Sequence, residues 1–211
     1  MSKLIDRVKD ASDMDIFTEA ALMNVLHGSA HSRYGLVKRA LKTGELIRLK
    51  RGLYSLAPKY QRKGINLFQL AQMIYGPSYI SLESALAYHS WIPEGVFSVT
   101  SVSARRSKEF KNSLGIFSYT HIPSNDFMAG VERVNAADGI FLMATPWRAL
   151  TDYIYAHDLA WKGLEPARES LRVDSRCFKT GTASLLKKLE KATRSERVRI
   201  FLRGVRKELA L

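Results

Sequence analysis

The residues best suited to chemistry lie between positions 29 and 63, where ten Lys/Arg stand against one acid, Glu45. Such a density suits contact with phosphate rather than bond making. Within Ser29–Leu56, SAHSRYGLVKRALKTGELIRLKRGLYSL, Leu36, Val37, Ala40 and Leu41 recur at helical spacing and define an inner side. His31, Ser32, Gly35, Lys38, Arg39 and Lys42 fall on the opposite side, and Arg33 and Tyr34 complete the candidate contact set. Arg pairs bidentately with guanine in a major groove, whereas Lys mostly meets phosphate. Gly35 either lets a DNA surface approach the helix backbone or simply weakens the helix by about 1 kcal/mol relative to Ala.

Thr43-Gly44 stops this helix, Gly suiting the left-handed terminal position. Glu45–Leu49 and Leu53–Leu56 then read as two strands joined by Lys50-Arg51-Gly52. Arg48, Lys50 and Arg51 give the hairpin a basic tip, and Lys59, Arg62 and Lys63 extend the basic surface. A helix followed by such a hairpin is the ending of a winged helix-turn-helix. The plainer alternative is a small helix-and-hairpin core with solvated lysines.

Two further basic clusters are candidate secondary contacts to nucleic acid or to a partner. Arg105, Arg106 and Lys108 fall in a loop after a strand. Arg199, Arg203 and Arg206 lie on the polar side of the last helix. Signals for catalysis are sparse. The chain lacks a Gly-rich phosphate loop and a nucleophile elbow. Its five histidines, at 27, 31, 89, 121 and 157, are well separated, so a zinc site would need long-range assembly. Glu109-Phe110-Lys111 has an acid-x-lysine spacing used by some metal-dependent nucleases, with Asp126 or Glu132 to complete a site, but it sits in a charge-rich segment that reads as a loop. Neither metal nor cofactor is expected. The single cysteine, Cys177, cannot form a disulfide framework.

The elements that must position these residues read as follows. Leu4, Ile5 and Val8 mark a short amphipathic helix. Asp13 and Asp15 precede a second helix over Phe17–Leu26, with Ala21, Leu22, Val25 and Leu26 inward. His27-Gly28-Ser29 breaks the chain, and Ser29 or Ser32 caps the next helix. Residues 1–57 therefore form a winged helix-turn-helix DNA-binding domain, and the polar stretch 58–66 is a linker. Residues 67–211 form a mixed α/β domain. It begins with a helix over Leu67–Tyr75, a short strand Tyr79–Ser81, and a helix over Leu82–His89 capped by Ser81. Strands follow at Val96–Val102, Ile116–Ile122, Met128–Val134 and Ile140–Ala144. Thr145-Pro146 then opens a helix, Glu165–Leu171 is another, and a basic helical tail carries the apolar stripes Leu185, Leu186, Leu189 and Val198, Phe201, Leu202, Val205, Leu209. The fold class is α+β.

The net charge of +13 is unevenly spread. Residues 1–64 carry 13 Lys/Arg and 6 Asp/Glu, residues 65–175 carry 9 and 11, and residues 176–211 carry 11 and 3. A polyanion contacted by both ends suits this pattern. The composition, 46% hydrophobic and 25% charged, supports a packed core. The longest apolar run, Ile140–Ala144, is far too short to span a bilayer, and the N-terminus lacks an apolar signal core. A cytoplasmic protein without membrane contact is expected.

Three segments go further. Gly44-Glu45-Leu46-Ile47-Arg48-Leu49-Lys50-Arg51-Gly52-Leu53-Tyr54, Tyr79-Ile80-Ser81-Leu82-Glu83-Ser84-Ala85-Leu86-Ala87-Tyr88-His89 and Thr145-Pro146-Trp147-Arg148-Ala149-Leu150-Thr151-Asp152 together resemble the AbiEi family of antitoxins from bacterial type IV toxin–antitoxin and abortive-infection systems. The resemblance implies an N-terminal winged helix that represses its own operon by binding its promoter, as a monomer or weak dimer on inverted repeats. It also implies a C-terminal domain that opposes a nucleotidyltransferase-like toxin without a stable complex. The basic tail after Cys177 matches no motif of that family. A solitary regulator of the same architecture and a metal-dependent nuclease using the central domain are the alternatives.

Overall fold

A computed structural model describes residues 3–211. The protein is mixed α+β, with nine α-helices and two sheets among the described residues. None of these helices is long and apolar enough to cross a membrane. The chain divides into two compact units, Met1–Leu70 with Asn112–Leu114, and Ala71–Lys111 with Gly115–Leu211.

The first unit opens with α1 (Lys3–Ala11), whose Leu4, Ile5 and Val8 are buried as their spacing predicts. The second helix starts later than its apolar pattern suggests. Ile16–Thr18 is instead a strand, β1, and α2 covers Glu19–Val25. Ile16 and Phe17 are both buried, and β1 pairs antiparallel with β3 (Leu53–Leu56), Phe17 facing Tyr54. This pairing spans nearly forty positions and leaves no trace in local periodicity. Thr18 then caps α2, its hydroxyl accepting from the Ala21 amide at 3.2 Å. α3 runs Ala30–Lys42 with Ser29 as its cap. β2 is Leu46–Lys50, so the hairpin connection shrinks to Arg51-Gly52 and Lys50 lies within the strand rather than at the tip. The three strands order β1-β3-β2. Leu22, Leu26, Val37, Ala40, Leu46 and Leu56 close the core beneath them.

Residues 58–66 do not behave as a free tether. Pro58–Tyr60 forms a 3-10 turn, and the Gln61 side chain donates to the Leu56 carbonyl at 2.8 Å. The amides of Arg62 and Lys63 both donate to the Asp15 carboxylate at 3.0 Å. The Arg62 guanidinium is taken up by Asp13 and the Lys9 carbonyl. The division between the units falls one element later, inside α4 (Leu67–Ile74).

The second unit is built on a six-stranded sheet of β4 (Ser78–Ile80), β5 (Ser98–Ser103), β6 (Lys108–Asn112), β7 (Gly115–His121), β8 (Val131–Ala136) and β9 (Gly139–Ala144), ordered β6-β7-β5-β4-β9-β8. β4 pairs parallel with β9 and antiparallel with β5, so the sheet is mixed. Helices α5 (Leu82–Tyr88), α6 (Pro146–Ala156), α7 (Glu165–Leu171), α8 (Ala183–Ala192) and α9 (Glu196–Glu208) complete it. Thr145 caps α6 as expected, accepting from the Arg148 amide. Ser81 occupies the cap position of α5, but its side chain makes no capping bond.

The Ser81 hydroxyl donates instead to Asp152 at 2.8 Å, inside a buried polar network. Arg148 donates through Nε to Asp152 at 2.9 Å, through Nη1 to the Ala129 carbonyl at 2.8 Å, and through Nη2 to the Tyr79 hydroxyl at 2.6 Å. The Tyr79 hydroxyl in turn donates to Asp152 at 3.0 Å. Burial pushes the Asp152 carboxyl above the usual carboxylate range, opposed by the Arg148 charge and three hydrogen bonds. Burial works against the Arg148 charge as well, but Asp152 and Tyr79 outweigh it and hold the guanidinium ionised. Removing one partner of such a pair strands a buried charge, which costs about 3–5 kcal/mol. Asp152→Asn is therefore expected to destabilise this unit by about that amount. Arg148→Met added to Asp152→Asn should recover part of the loss. Urea unfolding followed by tryptophan fluorescence checks both, because Trp91, Trp147 and Trp161 all belong to this unit.

Candidate nucleic-acid interface

α3 presents one side with no acid on it. His31, Ser32, Tyr34, Gly35, Lys38, Arg39 and Lys42 are all exposed, and Tyr34 is 61% so. Val37 and Ala40 are buried on the other side. Lys38, Arg39 and Lys42 enter no ion pair among the described residues, so their charge faces solvent uncompensated. The amide-rich start of α3, ending in the Ser29 cap, adds the positive end of the helix dipole to the same surface.

Arg33 is the exception among the predicted α3 contacts. It lies seven residues before Ala40 and four before Val37, which turns it toward the interior. Its guanidinium donates to the Met23 carbonyl at 2.8 Å. That carbonyl belongs to the last turn of α2 and would otherwise be an orphan acceptor. Arg33 thus fastens α3 to the end of α2 and is not displayed with Lys38.

The hairpin adds exposed Arg48 and Arg51, with Lys50 half-buried between them. The register shifts between Arg48 and Lys50, a bulge that keeps Leu49 inward. Gly52, at φ +75°, closes the two-residue turn. Its carbonyl accepts from the Glu19 amide at 2.9 Å, which anchors the hairpin tip to the start of α2. Burial, with help from the Glu19 carboxylate, raises the Tyr54 phenol and keeps it neutral. Lys59 and Lys63 are exposed, whereas Arg62 is spent on the internal pairing described above.

The other predicted clusters take different forms. Arg105 and Arg106 are exposed, and Arg105 stacks over the Tyr75 ring at 5.9 Å. Lys108 begins β6 and lies over Phe110 at 4.9 Å. Glu109-Phe110-Lys111 is therefore on a strand, not in the loop that its charge suggests. That strand is a sheet edge, where alternating charges discourage pairing with another chain. Glu132 lies on β8, the opposite edge. Five strand spacings put the two edges about 24 Å apart, so Glu109 and Glu132 cannot share one ion. No group of three or more metal-ligating side chains occurs among the described residues.

On α9, Arg199, Arg203 and Arg206 keep to one stripe, but acids accompany them. Arg203 pairs with Glu190 at 2.7 Å, Arg206 with Glu190 at 3.1 Å, and Arg199 with Glu196 at 3.1 Å. Lys187 and Lys191 of α8 line the same groove. Reading the sequence for arginines alone passed over these two lysines, although their four-residue spacing on the polar side of α8 was there to be seen.

Two helical glycines show what the α3 surface asks of its backbone. A Cβ at Gly204 in α9 would collide with the Lys162 carbonyl, so packing explains that glycine. A Cβ at Gly35 would meet nothing within 4 Å. The protein's own interior gives no reason for Gly35, which costs about 1 kcal/mol relative to Ala in mid-helix. Gly35→Ala should accordingly stabilise the first unit by up to about 1 kcal/mol, seen as slower amide hydrogen exchange along α3. Gly204→Ala should destabilise the second unit.

No family model matches the chain, and no curated protein matches it.

Proposed function

We propose that the chain is a DNA-binding transcriptional repressor whose first unit is a winged helix-turn-helix. The observation that carries this reading is the exposed, acid-free side of α3, backed by the order α1-β1-α2-α3-β2-β3 with strands arranged β1-β3-β2. In such a module α3 enters the major groove and the hairpin tip meets the flanking backbone. His31, Ser32, Tyr34, Lys38 and Arg39 are then placed to read bases or hold phosphates. Lys42, Arg48 and Arg51 extend the phosphate contacts, and the bare Gly35 lets the helix sit close. Arg33 serves by fixing the angle between α2 and α3. Lys50 supports the hairpin.

The biological role follows from the resemblance of the three segments to the AbiEi antitoxins. On that reading the protein works in the cytoplasm by binding rather than by turnover. It represses its own promoter through the first unit and opposes a nucleotidyltransferase-like toxin through the second. A solitary regulator keeps the first activity without the second. Co-expression with a nucleotidyltransferase-like protein from a neighbouring gene separates the two by growth.

Gel-shift titration against the DNA upstream of its own gene, beside random duplex, tests the central claim. The wild type is expected to prefer the upstream DNA and to weaken steeply with salt. Lys38→Ala and Arg39→Ala should each weaken binding, by about 1–3 kcal/mol where the side chain reads a base. Gly35→Ala should bind more weakly while folding more stably. Equal binding of upstream and random DNA by the wild type would overturn the repressor.

A further inference from the structure

We propose that the groove between α8 and α9 is a second, sequence-independent phosphate site that grips nucleic-acid backbone. It extends the reading above but rests on different residues, so the two stand or fall separately. Five cations line the groove, Lys187 and Lys191 from α8 and Arg199, Arg203 and Arg206 from α9, around a single lining carboxylate, Glu190.

The two helices contribute differently. Glu190 accepts from both Arg203 and Arg206, and Glu196 from both Arg199 and Arg203 at 3.1 and 3.4 Å. Each carboxylate is shared by two guanidinium groups, which orients the arginines and leaves them in excess. The Nε of Arg206 is buried with no hydrogen-bond partner among the described residues. Lys187 and Lys191 are exposed and enter no ion pair among those residues, so they carry the free charge.

The arrangement favours a chain of phosphates over a compact one. Lys187 and Lys191 are one turn apart, about 6 Å along the axis of α8, and Arg199, Arg203 and Arg206 follow one another at four and three residues on α9, about 6 and about 4.5 Å. These are rows of charge rather than one focus. Glu190, in the middle, repels a concentrated anion such as a triphosphate. The lining holds no aromatic ring on which a base could stack, so contact is with the backbone and carries no sequence preference.

The test uses the full chain carrying Lys187→Gln with Lys191→Gln. Both sites are exposed and Gln is a good helix former, so the fold is kept, and circular dichroism confirms it. Fluorescence anisotropy is measured on a random-sequence duplex and on the DNA upstream of the gene, over a range of salt. The slope of log affinity against log salt is expected to fall by about 1.8, two lysines at about 0.9 per phosphate. Affinity should drop by the same factor on both duplexes, leaving the preference for upstream DNA unchanged. The Lys38→Ala variant should instead reduce that preference. An unchanged salt slope in the double variant would sink the proposal. So would calorimetry in which inorganic pyrophosphate binds wild type but not the variant while duplex affinity is unaltered, because the groove would then be a small-anion site. If wild type shows no preference for upstream DNA but the slope still falls, the groove proposal stands and the repressor reading fails.

Discussion

The second unit depends on the burial of one ion pair. Arg148 and Asp152 are each only 3–4% exposed, and neither charge is tolerable there alone. Their environment satisfies them almost completely, with Tyr79 from β4, Ser81 from the start of α5, and the Ala129 carbonyl ahead of β8. A hydrophobic pair of the same volume would serve stability as well or better. What the polar network adds is geometry. It allows only one register between α6, the middle of the sheet and the loop before β8, because any slip leaves a donor or a carboxylate oxygen unmatched.

This network alters the meaning of the sequence motifs. The segments Tyr79–His89 and Thr145–Asp152 meet in this network, Tyr79 and Ser81 from the first with Arg148 and Asp152 from the second. His89 adds a tie to the end of β9, just before the second segment, its ring nitrogen lying 3.0 Å from the Ala144 carbonyl. Their residue types are accounted for by what the fold needs, whatever the domain does. A resemblance carried by such residues speaks for architecture more strongly than for activity.

Helices were legible because their burial is periodic. Leu4, Ile5 and Val8 in α1, or Val198, Phe201, Leu202 and Val205 in α9, could be placed inward from spacing alone. Strands that exist by virtue of distant partners were not. β1 has three residues and is held by β3 across the hairpin, so Phe17 and Thr18 read as the first turn of α2. β6 looked like a loop because Lys108, Glu109 and Lys111 crowd it, yet charge is what an edge strand carries. The polar stretch 58–66 looked like a linker, and its composition gave no hint that Asp15 would collect two of its amides. At the candidate interface the helical phase identified the exposed side correctly. It also held the information that Arg33 belongs inside, since Arg33 stands one heptad before the buried Ala40.

Net charge suffers from the same simplification. The two basic ends of the chain look alike in composition, but their charges differ in kind. On α3 the cations stand without acids, free to reorganise around a ligand, so their positions can serve discrimination. On α9 each arginine is already committed to Glu190 or Glu196, and its geometry is set before anything binds. Pre-oriented arginines lose little entropy on meeting phosphate, but they also gain less, because carboxylate contacts must be loosened or shared. A surface of the first kind adapts to what it meets, and one of the second kind meets it with a geometry already set. The two basic ends therefore differ in what accompanies their cations, and the acids beside the arginines, rather than the arginines themselves, are what mark the difference.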